Sequence, residues 1–169
     1  LTYSNQADNA AWTKSNSFVQ TNLVIQSQTF DNAAWSKTTA SVVADTTTAP
    51  DGTLTADTVT ATSVGANTGF LAQTVTFAAS TNYVYSIYVK HGTESSVQLQ
   101  AICTVGGTNS GCFATFNITS GTASIVTSYG SITGATASIT SAANGYYRCI
   151  LVMPVPAGVI TNGAVWFYL

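Results

Sequence analysis

The chain has 169 residues, of which 46% are hydrophobic, 11% aromatic and only 6% charged, with a formal net charge of −2. An ordinary soluble domain is about a quarter charged, so neutral polar groups, 29 Thr and 18 Ser among them, must solubilise this surface. Four Lys/Arg are too few to neutralise the phosphates a nucleic-acid interface engages, the aromatic and β-branched content argues against disorder, and no stretch approaches the ~20 unbroken apolar residues of a membrane helix.

The length suits one domain with a short appendage. Leu1 rather than Met opens the chain and no secretory signal follows, which reads as a processed product or a piece of something longer. An internal repeat comes first: SNQADNAAWTK (4–14) matches SQTFDNAAWSK (27–37) at an offset of 23. Asp8/Asp31, Asn9/Asn32, Trp12/Trp35 and Lys14/Lys37 coincide, while Ala7 stands where the second copy has Phe30. Two copies do not make a solenoid. The second copy is expected to open the main domain, 22–169, and the first to be a degenerate copy within an N-terminal extension or linker, 1–21. In DNAAW, Asp caps, Ala-Ala bends and Trp plugs the edge of the core.

From there the recurring period is two. Thr and Val fit a pleated sheet better than a helix. YVYSIYVK (83–90) sets Tyr83, Tyr85, Ile87 and Val89 against Val84, Ser86, Tyr88 and Lys90, and SSVQLQAIC (95–103) sets Val97, Leu99 and Ala101 against Gln98 and Gln100. Such alternation gives a sheet with one face in a core. Further strands are expected at Leu23–Ser27, Ala40–Ala44, Asp57–Ala61, Phe70–Phe77, Cys112–Asn117, Ala123–Thr127, Ala135–Thr140, Tyr146–Met153 and Ala164–Leu169. Turns fall at APDG (49–52), VGANTG (64–69), HGT (91–93), GGTNSG (106–111), TSG (119–121), ANG (143–145) and PAG (156–158), where Gly, Asn and Asp tolerate positive φ. Pro154 and Pro156 are expected to end a strand, since proline cannot donate to a ladder. Short strands at this spacing predict an all-β fold, a two-sheet antiparallel β-sandwich of jelly-roll type with an N-terminal extension.

Of the three cysteines, Cys103 and Cys112 bracket a turn-like stretch. If it is a hairpin, the two could face each other and bridge; the alternative is a pair of free thiols. Cys149 sits in a strand-like run and is expected in the core. No Cys/His spacing suggests zinc.

The main body resembles a family of carbohydrate-binding-module-like jelly-roll domains found in bacteriophage virion proteins: tail fibres, spikes and head fibres. Five segments carry the resemblance in order: NLVIQSQTFDNAAWSK (22–37), APDGTLTADTVTAT (49–62), YVYSIYVKHG (83–92), FATFNITSGT (113–122) and NGYYRCILVM (144–153). The resemblance implies a jelly-roll fold and a place on the virion surface, with other virion proteins as partners. It implies a homotrimer as well, because phage fibres are commonly trimers. It names no sugar, because fold-level likeness does not carry a ligand.

Groups for proton transfer are scarce, and no enzymatic activity is expected. His91 is the single histidine and lies in a turn; the acids Asp8, Asp31, Asp45, Asp51, Asp57 and Glu94 are scattered, several in turns. Glycosidic cleavage needs two facing carboxylates. No cofactor is expected; a structural calcium at Asp31, Asp51 or Asp57 is the less favoured alternative to turn capping. A sugar site asks for flat aromatics to stack on pyranose rings and for directional side-chain partners. If Tyr83, Tyr85 and Ile87 face the core, Tyr88 faces out, as do Gln98 and Gln100 of the next strand, and with Arg148 and Trp166 they form the candidate glycan patch; the alternative is that Trp166 and Tyr146 are core and the rest a solvated face or subunit contact. The expected function is host-surface glycan attachment, with host cell-surface polysaccharide as partner. A purely structural capsid decoration or fibre-shaft domain binding other virion proteins is the main alternative, and a bacterial surface adhesin the third. Neither nucleic acid nor membrane insertion is expected.

Overall fold

A computed structural model describes residues 22–63, 68–124 and 126–169. The N-terminal extension, the first copy of the repeat and most of the turn at 64–69 lie outside the described residues. Twelve strands follow in order: β1 (Ser36–Thr38), β2 (Ala40–Thr47), β3 (Ala56–Ala61), β4 (Phe70–Thr74), β5 (Thr81–Lys90), β6 (Ser96–Val105), β7 (Thr108–Asn117), β8 (Thr122–Ala123), β9 (Thr127–Tyr129), β10 (Thr136–Ser141), β11 (Tyr146–Val155) and β12 (Ile160–Tyr168). A 3-10 turn at Ala143–Gly145 leads into β11.

One layer is a seven-stranded antiparallel sheet, ordered β1-β4-β12-β6-β7-β8 with β9 also on β7. Against it pack a three-stranded sheet, β10-β11-β5, and a two-stranded ribbon, β2-β3. The all-β antiparallel sandwich expected from the alternation is therefore present. Period two explains the layering. Along β6, Val97, Leu99, Ala101, Cys103 and Val105 are buried while the residues between them are half-buried. Phe116, Ala114 and Cys112 of β7, Val165 and Phe167 of β12, and Leu71 of β4 join them, and meet Cys149, Leu151, Met153 and Val155 of β11 in one core. Removing such a side chain from water stabilises the fold by about 1.5–3 kcal/mol each.

Four expectations need correction. Leu23–Ser27 is not a strand but a series of turns. Asn22 Oδ1 accepts from Val24 N, Asn22 Nδ2 donates to Ser27 Oγ, Gln26 takes φ 54°, and Thr29 N donates to Gln26 O. Local side-chain bonds there win over a ladder. Pro154 does not end β11; it pairs in register with Asn82 of β5. The facing strand β10 stops opposite Val152, so no ladder bond on that side asks for the missing N–H. The loop expected between Cys103 and Cys112 shrinks to a two-residue turn, Gly106 (φ 54°) and Gly107 (φ 86°), as a tight hairpin requires. The ladder then runs on to Val105–Thr108. This sets Cys103 opposite Ser110 and Cys112 opposite Ala101, a two-residue offset, and all three cysteines are buried free thiols. Finally, β5 and β6 are consecutive in sequence but belong to different sheets, which decides the geometry of the site.

Candidate functional site

The outward residues of the seven-stranded sheet form the candidate site. Register places Trp166 of β12 between Ala72 of β4 and Gln100 of β6, with Phe113 of β7 beyond. The next row holds Phe70, Tyr168, Gln98 and Thr115. Three aromatics from two adjacent strands cluster here. Trp166 stacks on Phe70 with ring centroids 5.5 Å apart and planes at 12°; Tyr168 lies 5.2 Å from Phe70 and 5.7 Å from Trp166. Offset stacking is a favoured arrangement of aromatic rings, worth about 0.5–1.5 kcal/mol beyond area burial. Trp166, Phe70 and Phe113 stay half-buried, and Tyr168 is 8% exposed.

Beside the rings lie the directional groups. Gln100 Nε2 donates to the Tyr129 hydroxyl at 3.1 Å. Gly111 makes that contact feasible: a Cβ there would stand 2.8 Å from the Tyr129 hydroxyl and 2.6 Å from Ala101 O. Burial raises the Tyr129 phenol above its ordinary value against the opposing pull of Gln100, and pushes Tyr168 up to about 12. Both therefore remain neutral hydroxyl groups across physiological pH. No charged side chain occupies these outward rows among the described residues. The face offers flat rings and amide or hydroxyl groups, without ionic attraction.

The five residues expected to share one patch divide between the two layers. Gln98, Gln100 and Trp166 come together on the seven-stranded sheet. Tyr88 and Arg148 pair with each other on the outer face of the three-stranded sheet, where the Arg148 guanidinium lies 5.9 Å from the Tyr88 ring centroid and its Nη2 stands 3.4 Å from Ser86 Oγ. Tyr88 is 49% exposed. The chain crosses between layers from β5 to β6, so outward positions on these consecutive strands look away from each other. Sequence reasoning left Phe70, Phe113 and Tyr129 out of the patch. Phe70 stands at an outward β4 position by alternation, but only the β4–β12 register shows that it meets Trp166.

The remaining candidates have structural partners. Asp57 accepts from Phe30 N at 2.7 Å through one oxygen and from Asp45 N at 3.1 Å through the other, tying the Trp35 turn to the β2–β3 ribbon. Asp51 accepts from the amide and hydroxyl of Thr53, which hold its carboxyl below the ordinary value. Asp31 O, Asn32 O and Trp35 O all accept from Lys37 Nζ. His91 and Glu94 are exposed. Among the described residues, no three of His, Cys, Asp and Glu converge as a metal set. No known family model matches the chain, and no curated protein matches it either.

Proposed function

We propose that this chain is a non-enzymatic bacteriophage virion protein that attaches to host-surface glycan through the outer face of its seven-stranded sheet. The supporting observation is the packed Trp166–Phe70–Tyr168 cluster flanked by Gln98, Gln100 and Tyr129 on a face without charged side chains among the described residues. Pyranose C–H faces stack on such rings while ring hydroxyls take directional bonds from amides and phenols. The motifs that resemble phage jelly-roll domains support the setting rather than the site. Phe30, Trp35, Asp51 and Asp57 hold turns and the ribbon together, so those motifs encode the fold and leave sugar choice to the sheet face. A single shallow site of this kind binds at about millimolar strength, near −4 kcal/mol. Several copies on one particle, as in a trimeric fibre at the virion surface, raise effective affinity by ~10² or more.

The charge-free, half-buried character of the same face also favours a second reading, in which it packs against other virion proteins as a capsid decoration or fibre shaft. Labelled full chain is added to candidate host cells, intact and stripped of surface polysaccharide. Saturable binding lost on stripping supports attachment. Absence of cell binding by a folded multimer, with retention on capsids or fibres unaffected by added sugar, supports the second reading and overturns the first.

A further inference from the structure

The outer face of the seven-stranded sheet also carries a fixed donor–acceptor pair. Tyr129 of β9 pairs with Gly111 of β7, and its hydroxyl reaches across to Gln100 of β6, whose Nε2 donates to it at 3.1 Å. Both side chains are half-buried. An amide has two N–H donors and an accepting oxygen; a phenol has one O–H and an accepting oxygen. Their bond uses one amide N–H and a lone pair of the phenol. It leaves the Gln100 oxygen to accept and the Tyr129 O–H to donate. Trp166 stands directly across the β6–β12 ladder from Gln100. A sugar hydroxyl both donates and accepts, so one hydroxyl satisfies the pair. An ionised carboxylate only accepts. It would take the Tyr129 proton but set its charge against the Gln100 oxygen and the electron-rich faces of Trp166 and Phe70.

The cations that could compensate such a charge lie elsewhere. Lys37 pairs with buried Leu71, and its amine is taken by three carbonyls of the Trp35 turn. Lys90 and Arg148 belong to the three-stranded sheet of the opposing layer, and His91 follows Lys90. These are the cationic side chains among the described residues. Desolvating an anion without a cationic partner is costly. The row through Trp166 and Gln100 runs on to Phe113 of β7. Two strand spacings of ~4.8 Å set Phe113 about 10 Å from Trp166, with Gln100 between them. Ring, hydrogen-bonding pair and second ring in one row suit several sugars laid across the strands. We propose that the site takes an uncharged stretch of polysaccharide across β12, β6 and β7 and disfavours acidic sugars, with Gln100 and Tyr129 binding a hydroxyl between the two rings; this rests on the glycan-attachment reading and names its substrate class.

The test uses the full chain bound to host cells, with polysaccharide stripped from those cells as competitor. Anion exchange splits the stripped material into neutral and acidic fractions. The neutral fraction is expected to compete better by mass, with its potency changing less than about twofold between about 0.05 and about 0.5 M NaCl, a range that screens ionic attraction. Equal or stronger competition by the acidic fraction would overturn the proposal and leave the attachment reading standing. Competition by neither fraction, or no binding to cells, would overturn both. Tyr129→Phe keeps the ring and removes the donor, and should weaken cell binding about tenfold. Phe113→Leu keeps an apolar residue in the row but removes the ring, and should weaken it about threefold or more. Binding unchanged in both folded variants would overturn the proposal.

Discussion

Trp35 shows how a single residue organises one end of this fold. It is 3% exposed, its Nε1 donates to Gln26 O at 3.0 Å, and its ring lies 5.0 Å from Phe30. Asn32 Oδ1 accepts from Ala34 N, and Lys37 Nζ closes the turn on three carbonyls. The repeat preserves Asn32, Ala34, Trp35 and Lys37 but not Gln26 or Phe30, so the role of Trp35 as a plug was legible from DNAAW and its copy while its ring and carbonyl partners were not. The partner of Asp57 was not legible, because nothing in the sequence links position 57 to the amides of residues 30 and 45. Trp35→Ala should cost about 3–5 kcal/mol of stability, as large-to-small core changes do, measured by urea unfolding. Asp57→Ala should cost about 1–3 kcal/mol, because two amides lose their acceptor, and Asp57→Asn less, because one oxygen remains. A Trp35→Ala change within 0.5 kcal/mol of the parent would contradict the plug.

At the scale of elements, the alternating runs were legible wherever one face is buried, as in β5, β6, β11 and β12. Such strands have their register fixed by burial. Leu23–Ser27 failed because its apolar residues, Leu23 and Val24 with Ile25, look like a strand while Asn22 and Gln26 impose turns through local bonds. The choice between a Cys103–Cys112 bridge and free thiols stayed open in the sequence for another reason, and the structure has the free thiols. A two-residue turn at Gly106–Gly107 and an eight-residue loop are both compatible with TVGGTNSG, and only the turn type sets which residues face each other. The ladder therefore predicts three free thiols. Mass spectrometry of the unfolded chain, alkylated with and without prior reduction, should show three alkylated cysteines in both. A bridge between Cys103 and Cys112 would contradict the register. Gly111→Ala should loosen the β6–β7–β9 contact and release the Tyr129–Gln100 bond, read as a lowered Tm with Trp166 still stacked.

For the whole molecule, the layer each strand joins mattered most and was least legible. Alternation tells which side of a strand faces the core, but not which sheet the strand enters, so Tyr88 and Arg148 were grouped with residues on the opposite face. The buried thiols make a prediction at this scale. Burial pushes Cys112 and Cys149 up to about 12 and raises Cys103 and Tyr85 as well. Above about pH 8.5 the unfolded chain loses thiol protons that the native state keeps. With fewer protons bound in the unfolded state, stability is full below that pH and falls toward pH 12. The limiting slope is about 1.4 kcal/mol per pH unit for each thiol that titrates only when unfolded. Urea unfolding in reductant across pH 7–11 checks this, and a flat profile would contradict it. The central claim concerns which outer face meets the glycan. It is tested most directly by comparing Trp166→Ala with Tyr88→Ala in the same assay of binding to polysaccharide-bearing host cells, both variants first shown to be folded. The account expects Trp166→Ala to abolish saturable binding and Tyr88→Ala to leave it within about twofold of the parent, since stacking on one aromatic contributes on the order of 1 kcal/mol or more per site and copies multiply the loss. Binding lost with Tyr88→Ala and retained with Trp166→Ala would place recognition on the three-stranded sheet and contradict the account.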